Sequence, residues 1–181
     1  IRSLEILRRA KSPVRIVATC MAAHALPPER KSDRAGILDE VRNRILPAVA
    51  RKKLADYVDV FCDQGYFTVE ETLEILSAAK ALGLGTRVHG EELALTGIAA
   101  KAAEAGAHSV DHLLKVDDKG IQALARTGTV AMLLPGTAFY LKEPPAPARK
   151  LIDQGAVVAL ATDFNPGSCP TQNLPFIGTL A

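Results

Sequence analysis

Two hydrophobic periods take turns along this chain. Short runs, most of them largely apolar, cover 14–20, which is rich in β-branched residues, and 57–62, 85–89, 107–111, 129–134 and 156–162. Each has the length and composition of a strand. Between them, apolar residues recur three or four apart, as on one face of a helix. Ile37, Val41, Ile45 and Val49 mark a helix over 37–53, which Pro47 is expected to kink or interrupt. Thr68 and Glu71 have capping-box spacing and start a helix that runs to Leu82 and stops at Gly83. Further helices over 96–105, 117–126 and 147–154 stop at or near Gly106, Gly128 and Gly155. A short amphipathic helix around Leu4, Ile6 and Leu7 comes before the first strand. The polar stretch 27–36, with Pro27-Pro28 and several charges, reads as a loop.

Six nearly all-apolar strands, separated by helices, predict an α/β fold with a buried parallel sheet. An open doubly wound sheet and a β/α barrel both fit. The chain has no G-x-G-x-x-G after its first strand and no Walker loop, which weakens the nucleotide-binding versions. Several apolar runs end on polar chemistry: His24 after the first, His89 and His112 on the third and fourth, and Asp163 on the last. A β/α barrel builds its sites from the ends of several separate strands, so this pattern favours the barrel. Eight units close such a barrel. Six units predict an incomplete one, a single TIM-like (β/α) domain over residues 1–181.

Composition narrows the classes of partner. With 48% hydrophobic and 23% charged residues, the chain is globular rather than disordered. Aromatics at 4% and no Trp argue against a stacking platform for single-stranded nucleic acid. A net charge of +2 implies no polyanionic partner. Residues 1–53 hold 13 of the 22 Lys/Arg and 5 of the 20 Asp/Glu. With no aromatics interleaved, this bias reads as the solvated faces of helices. No apolar run approaches the roughly 20 residues of a membrane span. Cys20, Cys62 and Cys169 are odd in number, far apart and without a C-x-x-C, which suits packing residues in a reducing cytosol.

The strand ends suggest metal-assisted hydrolysis. His89 has a carboxylate, Glu92, three residues on. An imidazole at a strand end is a good zinc ligand, and the nearby carboxylate can move protons. His112 lies one β/α unit further round, and adjacent parallel strands about 4.8 Å apart let the two imidazoles converge. Asp163 can coordinate metal or accept a proton from an activated water. Asn165, Gly167 and Ser168 follow in a turn able to present amide groups. His108 opens its strand instead of ending it, so it is expected on the far, non-functional face.

The segments H-A-L-P-P-E, Y-V-D-V-F-C-D-Q-G-Y-F-T, R-V-H-G-E-E-L, S-V-D-H-L, L-L-P-G-T-A-F-Y-L and A-L-A-T-D-F-N-P-G-S, spread over most of residues 20–170, resemble the imidazolonepropionase family of the amidohydrolase superfamily. The resemblance implies a barrel that opens a cyclic amide with a bound Zn2+ or Fe3+, converting 4-imidazolone-5-propanoate to N-formimino-L-glutamate in histidine degradation. It implies His89 and Asp163 as metal ligands, Glu92 as ring-holding proton carrier and His112 as activator of water or stabiliser of the oxyanion. His24 would contact the substrate, and Asn165, Gly167 and Ser168 would hold its carboxylate; Ser168 stands where the family usually has Thr. It also implies a cytoplasmic enzyme, a homodimer at full length, acting on a small molecule, with no nucleic-acid or membrane partner.

The family's H-x-H metal pair does not occur in this sequence. The expectation is therefore strands three to eight of the barrel, without the first two β/α units and the flanking β-sandwich. The isolated chain is expected to be inactive, because two further His ligands would come from elsewhere. Two other readings stand beside this one. One is a different cyclic-amide hydrolase or aminohydrolase of the same superfamily. The other is a non-catalytic incomplete barrel that associates through its edge strand, 14–20.

Overall fold

Residues 1–181 are described by a computed structural model. Six strands, β1 (Thr19–Ala23), β2 (Tyr57–Cys62), β3 (Gly85–Gly90), β4 (Ser109–His112), β5 (Val130–Leu133) and β6 (Val158–Leu160), form one sheet. All pairings are parallel and the spatial order is the chain order, β1 to β6 without a reversal. That order decides between the two architectures. Right-handed crossovers running in one direction lay every helix on the same face and curl the sheet, whereas a doubly wound sheet must reverse its order. β1 and β6 are the two edges, so the structure is an open portion of a β/α barrel.

The helices are α1 (Arg2–Arg9), α2 (Arg34–Glu40), α3 (Leu46–Arg51), α4 (Val69–Ala81), α5 (Ile98–Glu104), α6 (Asp118–Thr127), α7 (Pro135–Leu141), α8 (Ala148–Asp153) and α9 (Leu174–Leu180). Along each strand, alternate residues face the helices. Val58, Val60, Val88, Val110 and Ala131 pack there against Ile75, Leu76, Ala99, Ala102, Ile121 and Leu124 in one buried cluster. The intervening residues face the barrel interior, and many are polar: Asp59, Arg87, His89, Ser109 and Asp111.

Three features differ from expectation. The first strand begins at Thr19 instead of residue 14: Val14 and Val17 are exposed and pair with nothing, and only from Ala18 does the backbone meet Asp56 and Tyr57. The kink expected at Pro47 is a π-turn, Val41–Ile45, between α2 and α3. Proline cannot donate its i→i−4 bond, and the ladder slips to i→i−5 one turn earlier, with Leu46 N–H bonded to Val41 O. Two helices, α7 and α9, lie where the hydrophobic pattern marks no element.

The fit of α7 depends on Gly136. A Cβ there would stand 2.6 Å from Ile177 Cδ1 on α9 and 2.7 Å from Cys169 Sγ, both buried. Gly136→Ala must therefore separate α7 from α9. Overpacking of this kind costs about 1–3 kcal/mol, and chemical denaturation should show that loss.

The capping box at α4 is present and carries an extra tie. Thr68 N–H donates to Glu71 Oε2 at 2.8 Å, and the Arg34 guanidinium grips both Glu71 oxygens, with Nε at 2.9 Å from Oε1. Burial alone would raise the Glu71 carboxyl; Arg34 and the Thr68 N–H outweigh it and hold it below its ordinary value. A depressed folded-state value means the stabilisation is complete above the unfolded value of about 4.3 and is lost as pH falls through the folded one. Glu71→Gln should therefore be less stable than the parent at neutral pH. The two should converge below about pH 4 in denaturation curves taken across pH.

Candidate active site

The C-terminal ends of the strands bring five of the expected residues to one mouth. His24 follows β1 directly, His89 lies on β3, Glu92 in the loop after it, His112 ends β4, and Asp163 comes three residues after β6. The His89 and His112 rings lie 5.2 Å apart between centroids, and those of His24 and His89 4.6 Å apart. One ligand atom each from His89, His112 and Asp163 falls within 4.8 Å of the others, and the same holds for His24, Asp59 and His89.

Asp59, on the inward face of β2, organises the first of these rings. Its Oδ1 lies 2.8 Å from His24 Nε2 and 2.9 Å from His89 Nδ1. A carboxylate on Nδ1 fixes the His89 ring and leaves Nε2 for another partner, the usual support of a metal-ligating imidazole. Burial would raise the Asp59 carboxyl, but its two histidine partners bring it down to about 2. Burial likewise opposes charge on His89, yet the hydrogen bond and charge of Asp59, with Asp111 and Asp163, carry it up to about 9.

His112 responds in the opposite direction. It is buried, and burial together with the neighbouring His89 pushes it down to about 3, so it is neutral. Its Nε2 lies 3.5 Å from Glu92 Oε2, while Nδ1 is buried with no hydrogen-bond partner. Burial first, then the charge of Asp163, moves Glu92 up to about 7. Burial also raises Asp111 to about 6. Asp163 is held by Thr137 Oγ1, which donates to its Oδ2 at 2.7 Å from the start of α7.

A divalent or trivalent cation fits this donor set. Two imidazoles and a carboxylate suit zinc or iron. A buried imidazole nitrogen without a partner is the kind of atom a cation satisfies, and carboxylates on three sides of His89 favour positive charge.

The turn after Asp163 is self-bonded. Asn165 Oδ1 accepts from Gly167 N at 2.8 Å and Ser168 N at 2.7 Å, and its Nδ2 donates to Asp163 O and Ser168 Oγ. Asn165, Gly167 and Ser168 thus shape the rim beside Asp163 and spend these amide groups on one another. His108 lies at the other end of the sheet, edge-on to Tyr57 at 5.0 Å. The three cysteines are buried thiols; burial pushes Cys62 up to about 11, the reverse of an activated thiolate.

Asp59, Asp63, Asp111 and Thr137 take part in the site without having been singled out from the sequence. For Asp59 and Asp111 the signal was present: a carboxylate at alternate positions of an otherwise apolar strand, as in V-D-V and S-V-D-H, faces the barrel interior; Asp63, beyond β2, and Thr137, on α7, gave none.

No family model matches the chain. Curated proteins named imidazolonepropionase do. The protein from Geobacillus thermodenitrificans is 48% identical over 183 aligned positions, covering 100% of this chain and 43% of the relative. That from Shouchella clausii is 50% identical, covering 93% and 38%, and that from Fusobacterium nucleatum 48%, covering 91% and 40%. Among solved structures, the Arabidopsis ADAL–IMP complex superposes with a TM-score of 0.71 at 13% identity, over 98% of this chain and 53% of that one. A zinc-bound adenosine deaminase from Xanthomonas campestris gives 0.57 at 15%, over 90% and 39%. Identities this low speak for the fold alone. The chain spans about two-fifths of the length of the curated relatives it matches, and along its whole length it is homologous to imidazolonepropionase.

Proposed function

We propose that residues 1–181 form β/α units three to eight of an imidazolonepropionase barrel, a cytoplasmic enzyme of histidine degradation. It would hydrolyse 4-imidazolone-5-propanoate to N-formimino-L-glutamate. The observation that carries this reading is the convergence of His89, His112 and Asp163 within 4.8 Å from the ends of three different strands, in a chain homologous to that enzyme over its whole length. The small-molecule substrate and a homodimeric whole enzyme belong to the same reading.

His89 and Asp163 would hold the cation, Zn2+ or Fe3+, with the remaining ligands supplied from outside these residues. Such a cation lowers the pKa of water and polarises a carbonyl oxygen. The protein's own groups do the rest. Water adds to the ring carbonyl carbon, the carbon–nitrogen bond of the cyclic amide breaks, and a proton of the water ends on the released nitrogen. Glu92, poised near 7, can take that proton and return it, as a group titrating near the working pH does best. Neutral His112, 3.5 Å from Glu92, can stabilise charge developing on the former carbonyl oxygen. Asp59 keeps His24 and His89 fixed while this occurs. His24 would contact the ring, and the Asn165–Gly167–Ser168 rim would hold the propanoate chain by exchanging its internal hydrogen bonds for bonds to the carboxylate.

Two substitutions in the whole enzyme carrying this sequence test the assignment. Asp163→Asn should lower kcat for ring opening by more than the ~10–100-fold typical of outer metal partners, reduce the metal held per chain and leave the circular dichroism spectrum unchanged. Near-parental turnover would remove Asp163 from the site. His108→Gln should be nearly silent in kcat and KM; a large loss with the fold intact would mean the two faces of the sheet have been interchanged.

A further inference from the structure

We propose that Asp63, just beyond β2, is a positioning residue for Glu92, acting through the backbone of the loop after β3. The proposal rests on the reading of Glu92 as the proton carrier. Asp63 is 4% exposed. Its Oδ2 accepts hydrogen bonds from Glu92 N at 2.8 Å and Leu93 N at 3.0 Å, and its Oδ1 from Ala94 N at 3.0 Å. A further bond, from Gln64 N to Oδ1 at 2.8 Å, fixes the carboxylate on its own strand end. Three successive amides turned toward one anion form a backbone nest, and hydrogen bonds to an ionised acceptor are the stronger kind.

Packing does not hold this loop. Leu93 is 48% exposed and Leu95 56% exposed, so side-chain burial contributes little between residues 92 and 96. On the near side the chain turns at Glu91, whose backbone is left-handed at φ 55°. The buried Glu91 side chain is turned away, its Oε1 accepting from Gly97 N at 2.9 Å at the start of α5. Glu91 thus anchors the loop to α5, and Asp63 fixes the direction in which Glu92 leaves the backbone. Asp63 lies outside the His89–His112–Asp163 group, and the site residue its hydrogen bonds reach is Glu92. Displacing a catalytic group by about 1 Å can cost ~100-fold in rate.

A double-mutant cycle reads this coupling in the whole enzyme carrying the sequence, with imidazolone propanoate as substrate. Asp63→Asn offers an NH2 group where a backbone N–H needs an acceptor. It should lower kcat by about 10–100-fold, with KM changed far less and the metal per chain unchanged. In a Glu92→Gln background the same change should cost less than about threefold, because the group it positions no longer carries protons. Equal losses in both backgrounds would reduce Asp63 to a structural role, and parental kcat in Asp63→Asn would do the same. If Asp63→Asn does not fold, Asp63→Glu, which keeps the charge and shifts it by one methylene, should show a smaller loss that again vanishes beside Glu92→Gln. Parental kcat in Glu92→Gln alone would overturn the role of Glu92 and the positioning role with it, whereas a slow Glu92→Gln with additive losses overturns Asp63 only.

Discussion

Oδ1 of Asp59 receives hydrogen bonds from two imidazoles that reach it from different strand ends, His24 after β1 and His89 on β3. The oxygen sits on the strand between them and is 2% exposed as part of its residue. A buried carboxylate is unfavourable unless it is paired, and here the pairing is also what aligns the site. If either His89 or His24 rotates away, Asp59 Oδ1 loses one of its two imidazole partners. Removing one partner of such a group typically costs about 3–5 kcal/mol, so the energetic weight of the mouth rests on the strand that itself offers no reactive group. The Nε2 of His89 faces its cluster because Nδ1 is already engaged.

The same electrostatic field separates two histidines whose rings are 5.2 Å apart. His89, with Asp59 bonded to its Nδ1, binds a proton up to about 9, whereas burial and the neighbouring His89 keep His112 neutral down to about 3. The backbone contributes as well. Glu91, His112 and Asp163 have φ of 55°, 79° and 50°, a conformation uncommon outside glycine and concentrated at functional positions, where it costs about 1–3 kcal/mol apiece. Each occurs where a strand gives way to its loop; His112 and Asp163 belong to the mouth, while the Glu91 side chain turns away to Gly97 at the start of α5.

Much of this was legible in the sequence. The strand positions after the first, the helix cap at Thr68, the stops at Gly106, Gly128 and Gly155, and the residues His24, His89, Glu92, His112 and Asp163 all followed from period, capping and strand-end chemistry. Helix α7 did not, because its sequence, Pro-Gly-Thr-Ala-Phe-Tyr-Leu, begins with two residues that usually mark a turn. Proline is nevertheless at home in a first helical turn, and Gly136 is set by contact with Cys169 and Ile177, which no local pattern reveals. The interior carboxylates were hidden differently. Reading β2 and β4 as continuous apolar runs concealed their alternation, and alternation is what assigns Asp59 and Asp111 to the inside. The five-residue delay in β1 was invisible for a third reason: β-branched residues favour extended backbone wherever they occur, but only a neighbouring strand makes them a ladder.

The unbroken order of the sheet bears on how the chain acquires its structure. Every strand pairs with the one that comes next along the polypeptide, so no pairing has to await a distant partner. Each β/α unit can dock on the unit made just before it, and the loop closed at each step stays short, which keeps the entropic penalty of every addition small. Assembly can therefore follow synthesis, each strand from β2 to β6 docking on the one before it. The reactive mouth matures late under this regime. His24, Asp59 and His89 come together once β1 to β3 are in place, α7 with Thr137 follows β5, and Asp163 arrives only after β6, so the His89–His112–Asp163 group is the last to close.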